Sequence, residues 1–104
     1  MRAVRFHAAR DIRVEDVAPP SGALAPDDVL VEPFCCGICG TDLHEYIAGP
    51  IVTPQSPHVF TGASNPQILG HEFSARVTKV GSAVSSVAPG DRVSIQPLLS
   101  PRDD

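Results

Sequence analysis

Gly37-Ile38-Cys39-Gly40-Thr41-Asp42-Leu43-His44 is followed, 32 residues after Cys39, by Gly70-His71-Glu72. Thiolate, imidazole and carboxylate are the side chains that bind zinc, and a catalytic zinc needs three protein ligands plus one open position. Glycines stand beside Cys39 and His71, and a residue without Cβ lets the backbone bend tightly around such a site. Read on these residues alone, the signal stays divided. In a small domain a cysteine and a histidine are more often a buried thiol and a surface imidazole than a ligand pair.

Outward from this stretch, eleven prolines and eight glycines cut the chain into pieces too short for a long helix. Ahead of it, Asp28 to Phe34 reads as a strand, with Val29 and Val31 on one face and Leu30 and Glu32 on the other. Further back, Ala3 to His7 and Ile12 to Val17 alternate in polarity, and Ala8-Ala9-Arg10-Asp11 joins them as a predicted hairpin. Residues 19–27 form the next loop. Behind Gly40 lies the one predicted helix, a short turn capped by Thr41 or Asp42 and running through Leu43, His44, Glu45 and Tyr46. Residues 48–66 carry four prolines, Pro50, Pro54, Pro57 and Pro66, and are predicted to form an irregular loop insertion. Loops of that length commonly shape a binding site. Two strands follow. Glu72 to Val80 alternates through Phe73, Ala75 and Val77, and Val93 to Pro97 comes after the turn Ala88-Pro89-Gly90-Asp91. The sum is a mainly β, antiparallel chain expected to form a partly open barrel.

At 104 residues there is room for one domain, residues 1–104, with one modest core. Hydrophobic residues make up 42% of it, too much for a disordered chain. The net charge of −4 is mild and the signs are interspersed, so nothing favours a nucleic-acid or anionic-membrane partner, and none is expected. No apolar run approaches the ~20 residues that cross a bilayer. The opening Met1-Arg2-Ala3-Val4-Arg5-Phe6 lacks the apolar core of a secretory signal and is expected to form structure directly. Cys35, Cys36 and Cys39 crowd into five positions, and so odd and clustered a set builds no disulfide framework. A reducing, cytoplasmic location follows as an expectation. Cys36-Gly37-Ile38-Cys39 also has the spacing of redox pairs and half zinc sites. A redox pair opens a helix after a buried parallel strand, which this pattern lacks, and no second pair completes a four-cysteine site. His7 and His58 match no such pattern and are expected at the surface.

Gly37 to His44, Gly70-His71-Glu72-Phe73, Gly81 and Pro89-Gly90-Asp91-Arg92-Val93 together resemble the zinc-containing medium-chain alcohol dehydrogenases in order, spacing and residue type. Within that family, His44-Glu45-Tyr46 and the proline-rich insertion reaching Gly62 resemble the 2,3-butanediol and polyol dehydrogenases. The resemblance implies a GroES-like barrel, the amino-terminal catalytic domain, followed in intact members by a Rossmann cofactor domain. It implies that Cys39 and His71 are catalytic zinc ligands and that Glu72 is a third ligand or a close neighbour of the metal. Thr41 resembles the hydroxyl that takes the alcohol's proton, and His44 the outer histidine of that relay. Asp42 resembles the carboxylate that orients the zinc-bound histidine. The implied reaction oxidises a secondary alcohol to a ketone, with zinc as Lewis acid and hydride passing to NAD or NADP. The implied partners are a small alcohol or diol and, for the intact enzyme, further copies of itself in a homo-oligomer.

Two departures qualify the match. Ala75 stands where the family signature usually has glycine. The tail Pro97-Leu98-Leu99-Ser100-Pro101-Arg102-Asp103-Asp104 offers no cysteine where many relatives begin a four-cysteine structural zinc lobe. No Gly-x-Gly-x-x-Gly fingerprint occurs, so the cofactor is expected to be bound mainly by a domain missing from these residues. The alternative is a non-catalytic GroES-like barrel, a remnant or an interaction module. Each site residue then has a plainer role: Thr41 and Asp42 as helix caps, His44 as a solvated surface group, Glu72 as an ordinary strand carboxylate.

Overall fold

The structure is a computed structural model that describes residues 1–97, so the cysteine-free tail beyond Pro97 lies outside the described residues. The chain divides into two units, Met1–Pro20 with Ile38–Gly70, and Ser21–Gly37 with His71–Asp104. Each carries one antiparallel three-stranded sheet, and the two sheets share no strand. No helix among the described residues is long and apolar enough to cross a membrane.

In the first unit the predicted hairpin forms from β1 (Arg2–Ala8) and β2 (Asp11–Asp16), with Arg2 opposite Asp16 and Phe6 opposite Ile12. Phe6 is 1% exposed. Burying such a side chain stabilises by roughly 1.5–3 kcal/mol. At the turn Arg10 takes a left-handed φ of 60°, and its N–H donates to the Tyr46 carbonyl at 2.6 Å. His7, expected at the surface, is only 19% exposed because its imidazole pairs with Glu15 across the hairpin. The predicted helix, α1 (Gly40–Ala48), has nine residues and begins earlier than its expected caps. A two-residue strand, β4 (Gln67–Ile68), escapes sequence reading altogether; it pairs with Arg5 and Phe6 on the far side of β1.

The second unit is built on β3 (Val29–Gly37) and β5 (Glu72–Val80), which pair along their whole lengths, with β6 (Arg92–Ser94) on the other side of β5. The expected alternation of β5 is present, since Ala75 and Val77 are buried and Phe73 half-buried. β3 departs from its expected pattern. It runs on through Cys35, Cys36 and Gly37, and bulges between Leu30 and Val31 and between Pro33 and Cys35 break its period. A bulge adds one residue against a continuous partner and re-aims the side chains beyond it. Leu30 and Val31 are therefore both half-buried, while Val29 is 39% exposed. β6 ends at Ser94, short of the expected Pro97. The turn at Ala88–Asp91 forms as read, closed by the Asp91 N–H on the Ala88 carbonyl at 3.1 Å.

After β5 the chain passes Gly81 against the loop that precedes β3. A Cβ at Gly81 would lie 2.2 Å from the Ala25 carbonyl oxygen and 2.4 Å from that of Pro26. Only glycine admits this approach, and the Gly81 N–H uses it to donate to the Asp28 carbonyl at 2.7 Å.

Candidate active site

Cys39, Thr41, Asp42 and His44 are delivered by the start of α1, in the first unit. Cys39 is the N-cap, extended at φ −95° and ψ 156°, and the helix begins at Gly40. The Asp42 carboxylate reaches back to accept the Cys39 N–H at 3.1 Å. That bond occupies a backbone donor left over at the helix start, and an acidic group in the first turn also suits the helix dipole. The expected caps are thus corrected. Thr41 lies inside the helix and is not its cap, while Asp42 serves the end from within. Thr41 and His44, three residues apart, share an exposed face. Gly40 adopts helical backbone with nothing near an added Cβ, so the tight bend expected there is not required.

Glu72 belongs to the second unit. It opens β5 directly opposite Gly37, the last residue of β3. A Cβ on Gly37 would stand 3.3 Å from Glu72 Oε2, so the carboxylate lies against that glycine. His71, half-buried, precedes Glu72, and Gly70 before it takes a φ of +121°. The bend expected beside the histidine is real, and it needs glycine. Cys39 falls in the first unit and His71 opens the last segment of the second.

Cys35 and Cys36 are exposed on β3, and all three cysteines are free. Cys36 lies opposite Phe73 in an antiparallel ladder. That is not the buried parallel strand of a redox βαβ unit. His58 is exposed, as expected, in the 49–66 loop, where its Nδ1 accepts the Phe60 N–H at 3.2 Å.

Sequence reasoning missed Glu45. It is 2% exposed, one residue beyond His44 on α1. Its carboxylate accepts the N–H of Ile51 at 2.9 Å, of Val52 at 3.1 Å and of Thr53 at 3.0 Å, and the Thr53 hydroxyl at 2.5 Å. Burial pushes the carboxyl's pKa up. The hydrogen bonds from the Thr53 hydroxyl and the three backbone amides outweigh that and hold it below the ordinary glutamate value. The Asn65 side chain donates in turn to the Thr53 hydroxyl oxygen at 3.0 Å. A surface depression of about 720 Å³ in this unit, bordered by Met1, Arg5 and Asp16, touches none of these residues.

Residues 25–103 match the family model of the alcohol dehydrogenase GroES-like domain. The chain is 43% identical over 101 residues to the (R,R)-butanediol dehydrogenase of Bacillus subtilis, covering 96% of this chain and 29% of that protein. It is 44% identical over 106 residues to the (R,R)-butanediol dehydrogenase of Neisseria gonorrhoeae, covering 100% and 29%. The crystal structure of 2R,3R-butanediol dehydrogenase from B. subtilis superposes with a TM-score of 0.79 at 43% identity, over 88% of this chain and 26% of that one. A Sinorhizobium meliloti 1021 chain assigned as a zinc-binding dehydrogenase and solved bound to NADP superposes at 0.65 and 40%, over 88% and 23%.

The chain belongs to the alcohol dehydrogenase GroES-like domain family, the domain of the medium-chain dehydrogenases. It spans 29% of the length of each of these two curated relatives. Those two relatives are butanediol dehydrogenases, as the 44–46 triplet and the proline-rich loop led one to expect.

Proposed function

We propose that this chain carries the metal-binding half of an active site that oxidises a small secondary alcohol or diol to the ketone, with NAD or NADP as hydride acceptor. Cys39, His71 and Glu72 hold the metal, which is zinc. One observation carries this reading: β3 ends at Gly37 directly opposite Glu72. Cys39 follows Gly37 by two residues, a span of at most about 7 Å, and His71 adjoins Glu72. Chain connectivity therefore keeps all three donors near the same end of one strand pair. The donor set fits the ion, since one thiolate, one imidazole and one carboxylate are each zinc ligands.

When bound, zinc supplies a Lewis acid that acidifies the substrate hydroxyl. The Thr41 hydroxyl would take the proton lost from the substrate while giving its own onward, and His44, on the same exposed face of α1, would pass a proton to water. Asp42 holds Cys39 at the helix start through its backbone N–H and orients the His71 imidazole. A nicotinamide, when bound, would supply the acceptor for the hydride of the carbinol carbon. A diol substrate is supported by the two butanediol dehydrogenases, and a nicotinamide cofactor by the NADP-bound relative. A thiolate ligand must stay reduced, which suits the cytoplasm.

Zinc titration against a chromophoric chelator tests this. The chain should take up about one zinc, lose it in Cys39→Ser and His71→Ala, and bind it more weakly in Glu72→Gln. A wild-type chain that takes up none would remove the metal from the reading. Unchanged affinity in Glu72→Gln would reduce Glu72 to a bystander.

A further inference from the structure

We propose that Glu45 is a positioning residue for the metal: through Thr53 and Asn65 it locks the segment that delivers His71 onto the helix whose N-cap is Cys39. This rests on the zinc reading above.

The loop between α1 and β5 leaves the helix at Gly49 and returns to His71, so its two ends adjoin the two ligand-bearing segments. Three consecutive backbone amides of the outgoing arm, from Ile51 to Thr53, converge on the Glu45 carboxylate. The Thr53 hydroxyl gives its hydrogen to the same carboxylate, so its oxygen is left to accept, and it accepts from the Asn65 amide on the returning arm. The Asn65 N–H also donates to the Pro54 carbonyl at 2.7 Å. Two residues on, Gln67 and Ile68 are fixed to β1, and Gly70 then turns the chain into His71. One buried carboxylate thus sets both the departure and the return of the loop. A charged acceptor with this many donors is costly to displace. Nothing in an ordinary surface loop calls for it. Metal ligands held in place before the ion arrives lose less freedom on binding it, which is the advantage of preorganisation.

The test measures zinc affinity, by competition with a chromophoric chelator, for the wild-type chain, Glu45→Gln, Thr53→Val and Thr53→Ser. Circular dichroism of each metal-free protein confirms its fold. Thr53→Val keeps the side-chain shape and removes the hydroxyl that joins Glu45 to Asn65; Thr53→Ser restores it. Glu45→Gln and Thr53→Val are expected to bind zinc about 10-fold more weakly, the low end of the range for groups that orient ligands from outside the metal's coordination sphere. Thr53→Ser should bind as the wild type does. With cobalt in place of zinc, the thiolate-to-metal absorption band should shift or broaden in the two weak variants only. A clamp that served folding alone would lower the melting temperature and leave the affinity of folded protein unchanged. If Thr53→Val is folded and binds zinc as tightly as wild type, the inference is overturned, whether or not Glu45→Gln folds. A wild type that binds no zinc overturns the metal reading and this inference together.

Discussion

Replacing Glu45 by alanine should cost roughly 2–4 kcal/mol of folding stability, a figure set by which of its donors can find water. The substitution strands three backbone N–H groups and one hydroxyl. Ile51 and Val52 are 63% and 75% exposed, so their amides are resolvated once the loop loosens. Thr53 is 8% exposed, and its N–H and hydroxyl are the groups left stranded. Each buried donor without a partner costs about 1–3 kcal/mol, and partial relaxation keeps the sum for two in the lower half of its range of about 2–6 kcal/mol. A domain of this size typically holds about 5–15 kcal/mol in all, so the loss should be visible in any melt. At about 4–8 °C per kcal/mol, the midpoint should fall by roughly 8–32 °C.

Acid provides an independent check on the same bonds. The folded-state pKa of Glu45 lies below its ordinary value, so its stabilisation is fully present above about 4.3 and is lost as pH falls through the folded value. Asp11 is lowered by its hydrogen bond to Arg13, and Glu15 by its hydrogen bond to His7, so both add to acid sensitivity. They do so equally in wild type and variant, and the difference between the two proteins isolates Glu45. Urea melts of wild type and Glu45→Ala from pH 7 down to 3 should show a gap that is constant near neutrality and narrows below about pH 4. A variant within 0.5 kcal/mol of wild type at pH 7, or a gap that does not change with pH, would refute the reasoning; the threshold is about the scatter of ordinary surface substitutions.

Two further outcomes are expected. Gly81→Ala should destabilise by about 1–3 kcal/mol in urea melts, because its Cβ would meet two backbone carbonyl oxygens, 2.2 and 2.4 Å away, that cannot swing aside; a neutral substitution would show that the 81–83 turn sits further from Ala25 than described. Supplied with zinc, NAD or NADP, and 2,3-butanediol, sorbitol or ethanol, the 104-residue chain should not reduce the cofactor, because none of its residues forms a nucleotide fingerprint to hold the nicotinamide against the substrate. Absorbance of the reduced cofactor rising clearly above a Cys39→Ser control would contradict that.

Most of the fold was legible because its signals are local. β5 announces itself through Phe73, Ala75 and Val77 at period two, and the β1–β2 hairpin through alternation on both sides of a four-residue turn. β3 was half legible. Its bulges shift register where the partner strand is continuous, and a bulge has no composition of its own. β4 has too few residues to show a period and exists because β1 offers it an edge. The helix start was misplaced because cysteine is not among the favoured N-cap residues. Here the N-cap is paired from inside the helix, by Asp42.

The motif residues stand out in a sequence because their chemistry is in their names, whereas Glu45 is readable only from its surroundings. On α1 the usual order is inverted: Leu43 and Ile47 are 52% and 44% exposed while the glutamate between them is 2% exposed. Hydrophobic patterning would have turned that face outward. The proline-rich segment reverses it. Pro50 and Pro54 bracket Ile51, Val52 and Thr53 and keep them out of regular structure, so their three amides have no ladder to join. The buried one among them, the Thr53 N–H, must still be paired. A carboxylate six to eight residues away, on a helix, can take several at once, as its two oxygens allow. The clue was therefore present in the sequence as a question about where the amides of a proline-bracketed stretch find their acceptors. Asked of residues 51–53, that question turns to the acidic residues of the preceding helix, Asp42 and Glu45, of which Asp42 is committed to the helix start. Glu45 remains.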